Sequence, residues 1–398
     1  MTTDFSRARA LFDLPDGVIY LDGNSLGPLP RGVAERLART VTDEWGQMLI
    51  TGWNRAGWMD LPRRVGDRIA RLIGAEAGHV VMGDTLSIKV YQALASALEL
   101  APGRRVILSD TGNFPSDLYM AEGLCKTLGP DYRLVTVAPH EVEGAIDDSV
   151  AVLMLTEVDY RTGRRHDLTA LTAKAHAAGA LAIWDLAHSA GATDVHVAEG
   201  GADFAVGCSY KYLNSGPGGP AFIYVAPRHA DTARPALSGW LGHEAPFAFD
   251  IDYRPGQGIE RMRVGTPPVL QLVALDAALD VWDGVEIADL RARSLELTDA
   301  FIAAVEAGCP DLELATPRGH AERGSQVSFR HPEGYAIMQA LIARGVIGDF
   351  RAPDIIRFGI TPLFIGHDDI VQAAAILTEI LRGRAWDRPE YKTRAKVT

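Results

Sequence analysis

Between about residues 78 and 226, short apolar runs alternate with segments whose apolar residues return at helical spacing. Residues 79–83, 105–109, 133–137, 150–155, 180–185, 204–208 and 221–225 are rich in β-branched and aromatic side chains and read as seven strands. The segments between them, such as 168–178, favour helix. This rhythm predicts an α/β domain with a mostly parallel seven-stranded sheet, whose chemistry gathers at the carboxyl ends of the strands.

After Pro268 the pattern changes. Residues 269–283 and 285–307 read as long helices, and 326–330, 337–344, 346–350, 355–360 and 369–381 follow as β-α-β-β-α, a second and smaller α+β domain. At the N-terminus a Gly- and Pro-rich loop, Asp22-Gly-Asn-Ser-Leu-Gly-Pro-Leu-Pro30, precedes an amphipathic helix over 33–45. We divide the chain into an N-terminal segment (1–55) that packs with the small domain, a large domain (56–289) and the small domain (290–398). The polar tail, 386–398, is expected to fray.

Composition narrows the function. With 47% hydrophobic residues among 398, the chain can bury a large core in two domains. A net charge of −12 without any basic stripe argues against a nucleic-acid partner. Cys125, Cys208 and Cys309 are too widely spaced for a disulfide framework or a metal site, which suits a reducing compartment. The first residues lack a signal-peptide core, and no apolar run approaches the roughly 20 residues that span a bilayer. We therefore expect a cytoplasmic protein with neither a membrane nor a metal among its partners.

Several residues stand where chemistry is expected. Lys211 follows an apolar strand and enters a glycine-rich turn, Ser209-Tyr-Lys-Tyr-Leu-Asn-Ser-Gly-Pro-Gly218, where desolvation favours the neutral, nucleophilic amine that a Schiff base requires. Asp185 ends another apolar strand just before His188; the residues alone leave it open between a helix cap and the carboxylate partner of a protonated pyridine ring. Leu86 and Ser87 begin a helix whose free N–H groups suit a phosphate, or merely a capped helix start. Phe114 can stack on a planar ring or cover a helix start. Arg357 lies in an apolar strand and needs an anion, either a substrate carboxylate or an internal partner such as Asp349.

The combination of Asp185, His188, the Lys211 turn and the late arginine resembles fold-type I pyridoxal phosphate enzymes of the aminotransferase class V group. Tyr20-Leu-Asp-Gly-Asn-Ser-Leu-Gly27, Asn113-Phe-Pro-Ser-Asp117, Val158-Asp-Tyr-Arg-Thr-Gly163, the Lys211 turn, Gly239-Trp-Leu-Gly-His243 and Arg344-Gly-Val-Ile-Gly-Asp-Phe-Arg351 together resemble the kynureninase family over nearly the whole chain. The resemblance implies the fold-type I transferase fold, pyridoxal 5′-phosphate as cofactor and a homodimer with shared active sites. It implies hydrolysis of L-kynurenine to anthranilate and L-alanine by Cβ–Cγ cleavage.

By the same resemblance Lys211 carries the cofactor, Asp185 pairs with its ring nitrogen and Phe114 stacks on the ring. Asp117, Thr156 and His188 line the pocket; Leu86, Ser87 and Tyr210 hold the phosphate region; and Trp240 and Thr266 reach in from a second subunit. Arg357 clamps the substrate carboxylate, with Trp53, Asn24 and Ser25 also on the substrate side. Tyr210 is the expected acid at Cβ, its phenol pKa lowered by the phosphate network. Trp53 and the Gly265-Thr266 pair resemble the bacterial branch and imply a moderate preference for kynurenine over its 3-hydroxy form. Two other readings are a cysteine desulfurase-like lyase and a non-catalytic homologue. The first expects a histidine before the lysine and a mobile nucleophilic cysteine, where this chain has Tyr210 and Cys309; the presence of Lys211, Asp185 and Arg357 together argues against the second.

Overall fold

A computed structural model describes residues 2–394. Its first strand, β1 (Ile19–Tyr20), precedes the seven strands of a large sheet: β2 (Val80–Met82), β3 (Val106–Asp110), β4 (Arg133–Val137), β5 (Val150–Thr156), β6 (Leu181–Asp185), β7 (Phe204–Cys208) and β8 (Ala221–Val225). They lie in the order β2-β8-β7-β6-β5-β3-β4. Only β8 runs antiparallel to its neighbours, so β3, β5, β6, β7 and β2 all release the chain at one edge.

The two faces of this sheet explain the strand sequences. Every residue of β3, β5 and β7 is buried, because helices cover both sides and leave no face for polar residues. Ile107, Ile183 and Val206 point to one face and pack with Val90, Leu94 and Leu124 of helices Leu86–Leu100 and Pro115–Leu128. Leu108, Trp184 and Ala205 point to the other, against helices Leu61–Leu72 and Leu168–Ala177. Each large apolar side chain so buried contributes about 1.5–3 kcal/mol. The edge strand β4 alone has a mixed, half-exposed pattern.

The smaller unit holds β9 (Glu313–Leu314), β10 (Gln326–Arg330), β11 (Val346–Ile347), β12 (Asp349–Arg351) and β13 (Ile355–Gly359). Four of these form an antiparallel sheet, β12-β13-β10-β9. The run 346–350, expected as one strand, is divided at Gly348: β11 leaves to pair with β1, and β12 joins β13. The expected helix over 33–45 changes character at Thr40, where six residues widen into a π-helical turn. Helix Val33–Arg39 packs on helix Val269–Ala278, while β1 and Leu21 hydrogen-bond to residues of the smaller unit. The N-terminal stretch thus touches both units. The tail is not frayed as far as Arg394: Trp386 is buried against His331, and Pro389–Lys392 is helical. Residues 395–398 lie outside the described residues. Among the described residues no helix is long and apolar enough to cross a membrane.

Candidate active site

The carboxyl edge of the large sheet gathers the residues singled out in the sequence. β7 runs directly into Ser209, Tyr210 and Lys211. The N-terminal loop presses on this turn: the Gly27 N–H donates to the Tyr210 carbonyl at 2.8 Å. A Cβ on Gly27 would stand 2.3 Å from the Lys211 carbonyl oxygen, so the approach requires glycine. Lys211 Nζ lies 3.0 Å from His188 Nε2 and 5.9 Å from the centre of the Phe114 ring.

Asp185 closes β6 beside Thr156 of β5. Its carboxylate accepts the Ala187 N–H at 2.9 Å and the Thr156 hydroxyl at 3.3 Å. Burial pushes the Asp185 carboxyl up, and the nearby Lys211 charge opposes that shift. Asp117, in the first turn of helix Pro115–Leu128, is held well above the ordinary carboxylate range by burial first and by Asp185 second. His188 is pushed well below the ordinary imidazole range by burial, then by the charge of Lys211, so its ring is neutral. Asp117 Oδ2 and His188 Nδ1 are buried and have no hydrogen-bond partner among the described residues.

Phe114 keeps 41% of its surface exposed and meets the edge of Tyr160 at 5.1 Å between ring centres. Asn113 fixes this corner: its Oδ1 accepts the Phe114 N–H at 2.7 Å and the Thr156 hydroxyl, and its Nδ2 donates to Ser109 at 3.0 Å. Beside it, helix Leu86–Leu100 begins without a side-chain cap from Thr85, leaving its first N–H groups free of that partner. Ser87 Oγ sits 2.9 Å from Ser116 Oγ at the same helix start. Two buried carboxyl groups, an open aromatic face, a near amine and an uncapped helix N-terminus suit a flat aromatic cation carrying an anionic arm. The residues therefore fit pyridoxal phosphate.

A second cluster faces the pocket from the smaller unit. Arg357 is buried, with Nε donating to Asp349 at 2.6 Å and NH2 donating to Asp349 as well. NH2 also donates to Ser25 Oγ at 2.7 Å, and NH1 to the Tyr160 carbonyl. The internal partner that the sequence left open for Arg357 is thus Asp349. Ser25 joins this cluster, whereas Asn24 is turned to Gln326, donating at 3.1 Å to its Oε1. Asp22, not assigned from the sequence, lies in the cluster too; burial, then the charge of Asp349, raise its carboxyl to about 7. Asp22, Tyr160 and Asp349 all lie within motifs already quoted, which was the available signal.

Three expected residues stand apart. Trp53 packs edge-on against Trp58 at 5.5 Å. Trp240 and Thr266 are exposed on adjoining loops tied by the Leu241 N–H to the Val264 carbonyl. Among the described residues no hydrogen bond or ring contact joins any of the three to Lys211. The protein's own groups raise the Tyr210 phenol, Cys208 first and burial second. It is accordingly a proton-bearing O–H donor. Cys309 is buried with its sulfur 3.3 Å from the Thr378 hydroxyl, unlike a mobile nucleophile.

Residues 290–377 match the family model of the kynureninase C-terminal domain. Over 380 residues the chain is 54% identical to a kynureninase of Deinococcus radiodurans, covering 94% of this chain and 92% of that one. Over 397 residues it is 51% identical to a kynureninase of Pseudomonas fluorescens, covering 98% and 95%. Among solved structures it is similar to the apo form of a cysteine desulfurase from Thermococcus onnurineus, with a TM-score of 0.79 at 18% identity over 95% of this chain and 98% of that one. That likeness concerns the fold alone.

Proposed function

The chain belongs to the kynureninase family, and from that premise we propose that it hydrolyses L-kynurenine to anthranilate and L-alanine by Cβ–Cγ cleavage, with pyridoxal 5′-phosphate bound at Lys211. The observation that carries this reading is the juxtaposition of Lys211, Asp185 and the open face of Phe114 with an arginine cluster across the pocket. When bound, the cofactor supplies an aldehyde for the amine and an electron sink for charge developing at Cα and Cβ.

The chain's own residues do the rest. Asp185 holds a proton on the ring nitrogen, because a carboxylate buried there is stabilised by a cation beside it. Lys211, freed when substrate takes its place, removes the Cα proton, and the neutral His188 at 3.0 Å orients its amine. The arginine cluster, with Arg357, holds the α-carboxylate and so fixes the substrate's direction. Water adds to the γ-carbonyl, and departure of anthranilate leaves Cβ to be protonated. Tyr210, half-buried beside Lys211 and carrying its proton, is placed to deliver it. Tyr210→Phe should slow turnover by about 10²-fold or more while the cofactor's visible absorbance is kept; near-normal turnover would remove Tyr210 from the mechanism.

The N–H groups near Leu86 and Ser87 would hold the cofactor's phosphate, with Trp240 and Thr266 supplied by a second copy of the chain. In support, Trp240 is 42% exposed beside Phe247, Phe249 and Ile251, which are 62%, 77% and 99% exposed, an apolar strip suited to a homodimer. Coexpressing Lys211→Ala with Trp240→Glu, each inactive alone, should restore roughly a quarter of wild-type activity, since half the random dimers carry one intact site. No recovery would place both residues in one chain's site. Cytoplasmic residence accords with three buried, unpaired cysteines.

The preference for kynurenine is inferred from the family resemblance at Trp53 and Thr266, side chains that would leave little for a 3-hydroxyl to gain. Measured side by side, kcat/KM for L-kynurenine should exceed that for 3-hydroxykynurenine; the reverse order would overturn this part of the reading.

A further inference from the structure

Helix Leu86–Leu100 buries a cation close to its start. The Lys89 side chain is fully buried, and its three N–H donors are all taken. Nζ reaches Asp84 Oδ2 at 3.2 Å, Gln92 Oε1 at 2.9 Å and the Met262 carbonyl at 3.2 Å. Burial pushes the ammonium down, and Asp84 opposes that shift. Gln92 Nε2 also donates to the Met262 carbonyl at 3.2 Å, so that carbonyl keeps a partner without the lysine. A buried ion pair adds little net stability over an apolar side chain of similar volume. The pair therefore calls for a role besides holding the helix together.

That role lies at the helix start. Asp84 stands two residues before Leu86 and three before Ser87. At this spacing an aspartate side chain ordinarily accepts the N–H groups of a first helical turn. Here its carboxylate is turned to Lys89 instead, and Thr85 supplies no side-chain cap. The Asp84 backbone is fixed. Its carbonyl accepts the Ala221 N–H at 3.1 Å, the Gly83 N–H before it donates to the Ala221 carbonyl at 2.9 Å, and its φ is +57°. The side chain, 34% exposed, is the part left free to turn. Without Lys89 it would be an anion beside the positive end of the helix dipole, in reach of the very N–H groups that suit a phosphate.

We propose that Lys89 is a positioning residue for the cofactor's phosphate. By holding the Asp84 carboxylate, it keeps the N–H groups of Leu86 and Ser87 open to a dianion and offsets a negative charge that would repel one. Gln92 and the Met262 carbonyl fix the ammonium in place for this task. The proposal rests on the reading of this helix start as the phosphate site.

The test titrates the full chain, freed of cofactor, with pyridoxal phosphate and with pyridoxal, which lacks the phosphate, and follows the visible absorbance of the bound aldehyde. Lys89→Met should bind pyridoxal phosphate about tenfold more weakly than wild type and pyridoxal about as well. Combining Lys89→Met with Asp84→Gly should restore most of the loss, because glycine accepts the positive φ and removes the competing carboxylate. A merely structural lysine would show no such rescue. Lys89→Gln, which keeps a polar end for Gln92 and the Met262 carbonyl, carries the same comparison should Lys89→Met fail to fold. An unchanged preference for pyridoxal phosphate over pyridoxal in these variants would overturn the proposal. So would a loss that falls equally on pyridoxal, or one that Asp84→Gly does not restore. A wild type with no preference between the two would instead overturn the phosphate reading on which the proposal stands.

Discussion

Lys211→Ala is expected to lower turnover of L-kynurenine by roughly 10⁴-fold or more, because in the proposed mechanism one amine serves both as the cofactor's attachment point and as the base at Cα. No other side chain in the pocket can replace it. His188, the nearest nitrogen at 3.0 Å, is buried and held neutral, with its pKa well below the ordinary range. Lys89, which is fully buried, is committed to Asp84, Gln92 and the Met262 carbonyl. The loss should come without unfolding, since Lys211 Nζ has a single hydrogen-bond partner among the described residues, His188, and the backbone bonds of its turn do not use the side chain. Borohydride treatment followed by proteolysis should recover the cofactor on the peptide containing Lys211 from wild type and from no peptide of the variant. Turnover within tenfold of wild type would contradict the assignment.

The second large effect is expected at Asp185. Asp185→Asn preserves shape and can still bond Thr156, but it replaces a buried charge with a neutral amide. The carboxylate there is unfavourable alone, as its upward shift shows, and becomes favourable only when a cation sits against it. Removing it leaves the ring nitrogen without a reason to stay protonated, so the charge forming at Cα loses its sink. Turnover should fall by about 10³-fold, with the cofactor still bound and its absorbance shifted. Asp117→Asn, at the other buried carboxyl, should cost much less, because Asp117 is already held in its neutral form. Equal losses at the two positions would mean that the pocket needs their shared negative charge and not a specific partner at Asp185.

These residues differ in how far they could be read from the chain. The large sheet was legible because its strands are buried on both faces and therefore appear as unbroken apolar runs; Phe204–Cys208 and Ala221–Val225 coincide with the expected bounds. The same logic found Asp185 and Lys211, polar residues at the ends of such runs. The run 346–350 misled because Gly348 lets the residues on its two sides divide between two sheets, and a run of suitable residues does not say which neighbour each will pair with. The Arg357 cluster was half legible: Asp349 was a candidate partner, but Ser25 and Asp22 lie more than 320 residues away in sequence and reach it through the β1–β11 pairing and the bridge between Asp22 and Gly359. Trp53, Trp240 and Thr266 have no local physical signal for a site; their expected roles came from family resemblance.

The most direct measurement is anthranilate fluorescence on adding L-kynurenine to the pyridoxal phosphate-loaded protein, with L-alanine assayed in the same reaction. The account predicts one anthranilate for each L-alanine at a rate abolished in Lys211→Ala. A protein that binds the cofactor at Lys211 but forms neither product from L-kynurenine would contradict it.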